Sequence, residues 1–254
     1  ASFDALGMPR YLLAEDGWRM RAMAGEAPCD DVVVLVNTDR YGGGGIYNDY
    51  CIFAADNERS RMLFLHEFGH AFAGLADEYI DPETVYSDTY PKGVEPLEPN
   101  ITACLDPAEL KWKAMVSPGV ALPTDWGEDA ILPLWKKAAK GRTAFRKALA
   151  EARGRGLSKD RIEAMETRHR KAQAGLQKRV EAVLARHKSV VGKVGLFEGA
   201  GYAARGLYRP SMYCLMGISI TDEYCPVCRR AIRRMIDFTC GKAEDGPHSE
   251  AVRR

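Results

Sequence analysis

The sequence predicts an α+β fold: a mixed, twisted sheet packed on one apolar helix, an irregular lower part closed by a last helix, and a helical hairpin inserted between them. Three observations predict it. Residues 31–36, Asp-Val-Val-Val-Leu-Val, are a β-branched run of the kind that makes a strand buried on both faces. Residues 61–73 are strongly apolar at helical spacing, through Met62, Leu63, Leu65 and Phe72, and Gly74 stands where such a helix would stop. Residues 133–190 then change both the period and the charge of the chain. At 254 residues, 46% hydrophobic and 28% charged, the chain can bury a large core and does not have a disordered composition. No apolar run reaches the roughly 18 residues that a membrane span needs, so no membrane is expected.

The elements follow in order. Residues 11–24 read as a helix before a break at Pro28. After the first strand, four glycines at 42–45 interrupt the pattern, and residues 50–55, Tyr-Cys-Ile-Phe-Ala-Ala, read as another strand. Residues 80–132 are rich in Pro and Asp and read as long loops with short elements. A helix is expected around 134–152. Gly154-Arg-Gly156 breaks it, and Ser158 is a possible N-cap for the next one. In that second helix Ile162, Met165, His169, Ala172, Leu176, Val180 and Val183 form a narrow apolar stripe. Residues 192–210 look loop-like, a last helix spans about 226–238, and the polar tail 241–254 reads as frayed.

The net charge of +1 conceals a division. Residues 136–188 hold 17 Lys/Arg against 5 Asp/Glu, whereas the rest of the chain holds 19 against 30. This is an acidic body carrying a basic appendage, unlike a uniform nucleic-acid binder, and no nucleic-acid partner is expected. The chain thus reads as a single domain over 1–254 with the basic hairpin 133–190 inserted in it. The basic face reads as solvated, with an exosite for a substrate or acidic partner as its other use. The opening Ala1-Ser2-Phe3-Asp4 has neither an initiator Met nor a basic-then-apolar leader, so the compartment is not read from it.

The chemistry lies in His66-Glu67-Phe68-Gly69-His70. On a helix the four-residue step puts both imidazoles on one face, where they can reach one zinc ion. Glu67, turned by about 100°, lies beside the open position of that ion and can serve as general base. A third ligand is required. His169, His187 and His248 do not stand at the spacing of the long zincin motif, and the position where that motif would put a histidine is Ala76. One residue later, Gly74 and Asp77 keep the Gly-x-x-ligand step. Gly74 would turn the chain out of the helix and Asp77 would swing back to the metal, with Glu78 as the competing donor.

The run from His66 to Tyr79, His-Glu-Phe-Gly-His-Ala-Phe-Ala-Gly-Leu-Ala-Asp-Glu-Tyr, resembles the active-site signature of the igalysins, the IgA-peptidase family of metzincin zinc peptidases. The likeness extends to Val36-Asn37, Tyr41-Gly42-Gly43, residues 195–202, Tyr208-Arg209-Pro210, Cys214-Leu215-Met216 and Cys225-Pro-Val-Cys228, and leaves out the hairpin. The resemblance implies an α/β/α metzincin-like zincin with one catalytic zinc on His66, His70 and Asp77, and Glu67 as base. It implies a methionine turn at Met216 beneath the metal, and suggests a secreted or cell-envelope protein. Some metzincins carry a tyrosine two residues after that methionine. Here Ile218 takes the place, leaving Tyr208 as a weak candidate for the same role. The strand at 50–55 would form the upper rim of the cleft and pair with an extended protein or peptide substrate, with the glycine run as a flexible bulge beside it.

The function expected is therefore a zinc-dependent endopeptidase using metal-activated water. The alternatives are a non-proteolytic binding module acting through the basic hairpin, and a gluzincin-type peptidase with a downstream Glu ligand. Seven cysteines, at 29, 51, 104, 214, 225, 228 and 240, leave at least one unpaired in a monomer. Cys225-x-x-Cys228 could be redox-active or half of a zinc site. With no second such pair in the chain, a structural role by disulfide or packing is expected.

Overall fold

The β-branched run does form a strand, but at the margin of its sheet. In the computed structural model, which describes residues 1–81, 90–217 and 221–242, strand β1 spans Val33–Val36, β2 Gly43–Ile46 and β3 Tyr50–Ala54. The order is β1-β3-β2, with β1 parallel and β2 antiparallel to β3. The strand buried throughout is therefore the central β3. In β1 Leu35 is exposed, because the helix on that face of the sheet packs mainly on β2 and β3. The same topology corrects the expected rim of the cleft. β3 is hydrogen-bonded on both edges and cannot take a substrate strand; the outer edge on that side belongs to β2. The glycine run is thus this strand and not a bulge.

The glycines are there because two layers close on β2. A Cβ on Gly43 would meet Glu67 Oε1 at 2.7 Å, and one on Gly45 would meet His70 Cβ at 2.7 Å. On the other face a Cβ on Gly44 would meet the Leu12 carbonyl at 2.5 Å. Any side chain here would push the rim off the helix below it. That helix is expected at 61–73 and spans Ser60–Ala73. Helix α1 spans Gly17–Ala24, so the second is α2. α2 packs on β2 and β3, burying Leu63 and Ala71 against Cys51, Phe53 and Ala54. The opposite face of the sheet is covered by Leu12 with Phe3, Ala14 and Met20. Residues 11–13 are not helical as expected. Leu12 N–H donates to the Gly43 carbonyl (3.1 Å) and Gly43 N–H to the Arg10 carbonyl (3.1 Å). The chain becomes helical only at Gly17, where the Asp16 side chain accepts from Arg19 N–H at 2.9 Å.

The hairpin forms as α3, Glu128–Gly154, and α4, Lys159–Leu184. Ser158 occupies the N-cap position of α4, although its hydroxyl makes no capping bond. The base of the hairpin is anchored: Ile131, Leu134, Val180 and Val183 share a buried cluster with Trp126, Phe197 and Met212. Farther out, Phe145 and His169 stack with ring centroids 4.1 Å apart.

Residues 192–210 contain an element where a loop is expected. Strands β4, Phe197–Ala200, and β5, Ala203–Arg209, form an antiparallel hairpin. Its glycines hide the two-residue alternation that would announce it. Gly201 and Tyr202 make the turn, both with positive φ (53° and 66°), as a two-residue hairpin turn of this hand requires. Helix α5 spans Pro226–Thr239, close to expectation. Among the described residues no helix is long and apolar enough to cross a membrane. Ile218 and His248 lie outside the described residues.

Candidate metal centre

α2 ends at Gly74, which adopts the left-handed conformation (φ 58°), with its N–H on the His70 carbonyl (3.1 Å) and Leu75 N–H on the Gly69 carbonyl (3.1 Å). The reversal returns residues 75–78 alongside the helix. It carries the Leu75 carbonyl to His70 Nδ1 at 2.6 Å, while the Leu215 carbonyl meets His66 Nδ1 at 3.1 Å. With each Nδ1–H donating to a carbonyl, both rings present the lone pair of Nε2. Those two Nε2 atoms are 3.2 Å apart, and Asp77 Oδ1 stands 3.2 Å from the first and 3.5 Å from the second.

This triangle fits a zinc ion. Donors about 2.0–2.1 Å from a tetrahedral centre are separated by about 3.3 Å. Asp77 is 6% exposed and its Oδ1 is buried with no hydrogen-bond donor among the described residues, a costly arrangement unless a cation completes it. Electrostatics agree. Burial would raise the pKa of Asp77, but the two histidines hold its carboxyl well below the ordinary range. Burial would lower His70, but Asp77 outweighs it and raises His70 to about 9. The negative charge of Asp77 that raises His70 would equally draw a cation, which takes the place of the proton on Nε2.

The structure thus brings together His66, His70 and Asp77, with Glu67 on the next position of α2. Gly74 makes the turn expected of it. Glu78, the competing donor, points away toward Cys228. Met216 is fully buried, with its sulfur 2.9 Å from where a Cβ on Gly69 would lie, so it packs against α2 in the turn that carries the two histidines. The turn at 214–217 is closed by Gly217 N–H on the Cys214 carbonyl at 2.9 Å. Tyr208 is not in the cleft. It lies on β5, exchanges backbone bonds with Thr102 and packs toward the Phe72–Trp112 core. His169 and His187 take no part in the cluster. His187 Nδ1 instead meets the Val183 carbonyl at 2.9 Å.

Three contributors have no role legible in the sequence, although Tyr41 and Tyr202 fall within segments of the family likeness. Tyr202 donates its hydroxyl to Asp77 Oδ2, leaving Oδ1 for an ion. It is placed by the β4–β5 turn, whose Gly201 N–H and Tyr202 N–H bond the carbonyls of Asp77 and Tyr79, both at 2.9 Å. Its positive φ is strained for a tyrosine, a cost borne at the site. Asn100, fully buried, accepts from Ala76 N–H (2.8 Å) and donates to the Ala76 carbonyl (2.9 Å) and to Glu78 Oε1 (3.0 Å). Tyr41 lines the cleft near Glu67. A lone Asn or Tyr at such distances in the chain leaves no local pattern to read.

The cluster opens on a cleft of about 1250 Å³. One rim is β2, and the facing wall comes from the basic hairpin through Trp135, Arg142, Gln173 and Leu176. The appendage that reads as separate in the sequence is part of the cleft. Comparison with individually curated proteins gives no match, but the profile of the IgA peptidase M64 family matches residues 1–236, nearly the whole chain. The chain belongs to that family, and it is a peptidase.

Proposed function

We propose that the protein is a zinc-dependent endopeptidase of metzincin type, with His66, His70 and Asp77 holding the ion and Glu67 acting as general base. The observation that carries this reading is the triangle of two imidazole nitrogens and one carboxylate oxygen at the floor of an open cleft, with a second carboxylate beside it. Two histidines and one acid are a donor set zinc accepts with a position left for reaction. Bound there, zinc would polarise the scissile carbonyl and make the attacking water more acidic.

The remaining steps belong to the chain. Glu67 takes a proton from the attacking water on its carboxylate oxygen and hands it to the leaving amine nitrogen. Its burial in the cleft raises its pKa, which suits a group that must both accept and return a proton. Tyr202 steadies Asp77, and the carbonyls of Leu75 and Leu215 steady the imidazoles. Met216 is the floor beneath the histidines.

An extended peptide would lie on the outer edge of β2. Gly43 directs its N–H and carbonyl outward to the Leu12 and Arg10 backbone, and the two-residue alternation directs those of Gly45 the same way. Gly45 lines the cleft and is open to pair with a substrate backbone. The hairpin wall opposite offers apolar and basic side chains to the substrate, which gives the basic segment a place within a peptidase. A gluzincin arrangement draws no support, because Glu78 faces away from the histidines.

Glu67→Gln tests the mechanism. The variant should keep its zinc while hydrolysis of a peptide library, with a chelator control, falls by about 10²–10⁴-fold. Full activity in that variant would sink the assignment.

A further inference from the structure

Behind the first cluster lies a second convergence of donor atoms. Glu78, one residue beyond Asp77, is 1% exposed and turns its side chain into a nest of buried cysteines. Cys228 Sγ lies 3.0 Å from Glu78 Oε1, Cys225 Sγ lies 4.0 Å from it, and Cys214 and Cys228 Sγ are 3.7 Å apart. All four donor atoms fall within 4.8 Å of one another, and all four residues are buried.

Three features point to an ion. The first is spacing. Two thiolates about 2.3 Å from a tetrahedral zinc are separated by about 3.8 Å, close to the 3.7 Å between Cys214 and Cys228. A disulfide would bring them to about 2.0 Å, and none of the seven cysteines is in one. The second is an orphan. Glu78 Oε2 is buried and has no hydrogen-bond partner among the described residues. The third is framing. Cys225 is the N-cap of α5 and Cys228 lies in its first turn, so the positive end of the helix faces the sulfurs. Cys225 N–H also donates to Cys214 Sγ at 3.2 Å.

We propose that Glu78, Cys214, Cys225 and Cys228 form a second zinc site, closed and structural, which fastens the start of α5 and the 214–217 turn to the segment bearing Asp77. Four protein donors fill a tetrahedral shell and leave no position for a reacting group, unlike the cluster in the cleft. A thiolate-rich set selects zinc over magnesium or calcium, and the thiols release their protons on binding. Arg209, buried and interacting with Glu78, offsets part of the excess negative charge.

The test is metal content and sulfur ligation in the whole chain. The purified protein should carry about two zinc ions, and X-ray absorption should include a sulfur shell at about 2.3 Å. His66→Ala should keep about one zinc, now with mostly sulfur neighbours, while Cys228→Ser should lose the sulfur-bound ion. The absorption measurement on the unaltered chain decides the matter even if Cys228→Ser does not fold. A single zinc with no sulfur neighbours would overturn the proposal, as would a disulfide between any two of the three cysteines in denatured, alkylated protein. A single zinc with mostly sulfur neighbours would instead leave this site standing and remove the ion from the catalytic reading.

Discussion

Asp77 and Glu78 are adjacent in the chain, yet their side chains serve opposite kinds of surroundings. Asp77 turns toward two imidazoles at the floor of a wide cleft, and Glu78 toward three thiols in the core. Both carry a carboxylate oxygen with no hydrogen-bond donor among the described residues. What differs is access and softness. The histidine side is reachable from solvent and has three protein donors, the composition of a place where something must come and go. The thiol side is sealed and has four, the composition of a fastening. Two neighbouring acids of similar chemistry are thus separated in surroundings, and in the proposed roles, by the direction an extended backbone gives them.

Exchange of the two acids' chemistry gives the sharpest way to break that comparison. Asp77→Asn should lower peptide hydrolysis by more than about 100-fold, beyond what loss of an outer partner of a metal costs, while the thermal midpoint moves little. Glu78→Gln should do the reverse, lowering the midpoint clearly, with activity lost only as far as the fold loosens. If both variants lost activity and stability in the same proportion, the division of roles would be wrong. Tyr202→Phe is a finer probe. It removes only the hydroxyl on Asp77 Oδ2, and zinc affinity measured by chelator competition should fall about 10–100-fold with the fold intact. Asn100→Ala should have the smallest effect on hydrolysis. It strands buried groups on Ala76 and Glu78, and denaturant titration should find a loss of about 1–3 kcal/mol.

How much of this is legible depends on distance along the chain. The helix bearing His66 and His70, its stop at Gly74 and the step to Asp77 lie within one short segment, where helical period and turn chemistry act locally. The α3–α4 hairpin is legible for the same reason, through the stripe from Ile162 to Val183. The β4–β5 hairpin is not, because Gly199, Gly201 and Gly206 interrupt the alternation that marks a strand. β1 misleads, since its hydrophobicity says nothing about whether a strand is central or at an edge. Cys225 and Cys228 announce half of a cluster, but the other half, Cys214 and Glu78, is supplied by tertiary folding. Nor can charge reveal that the basic hairpin forms a wall of the cleft.

Asn100 has a consequence for the fidelity of the fold. Its side-chain amide engages both the N–H and the carbonyl of Ala76, as a neighbouring strand would. Side chains of an extended segment alternate in direction, so a slip of one residue would bring Glu78 to the imidazoles with Tyr79 at the sulfurs, or Asp77 to the sulfurs with Ala76 at the imidazoles. Either way one pocket would receive an acid of the wrong length and the other no acid at all. By grasping one peptide unit from a distant part of the chain, a single amide keeps count.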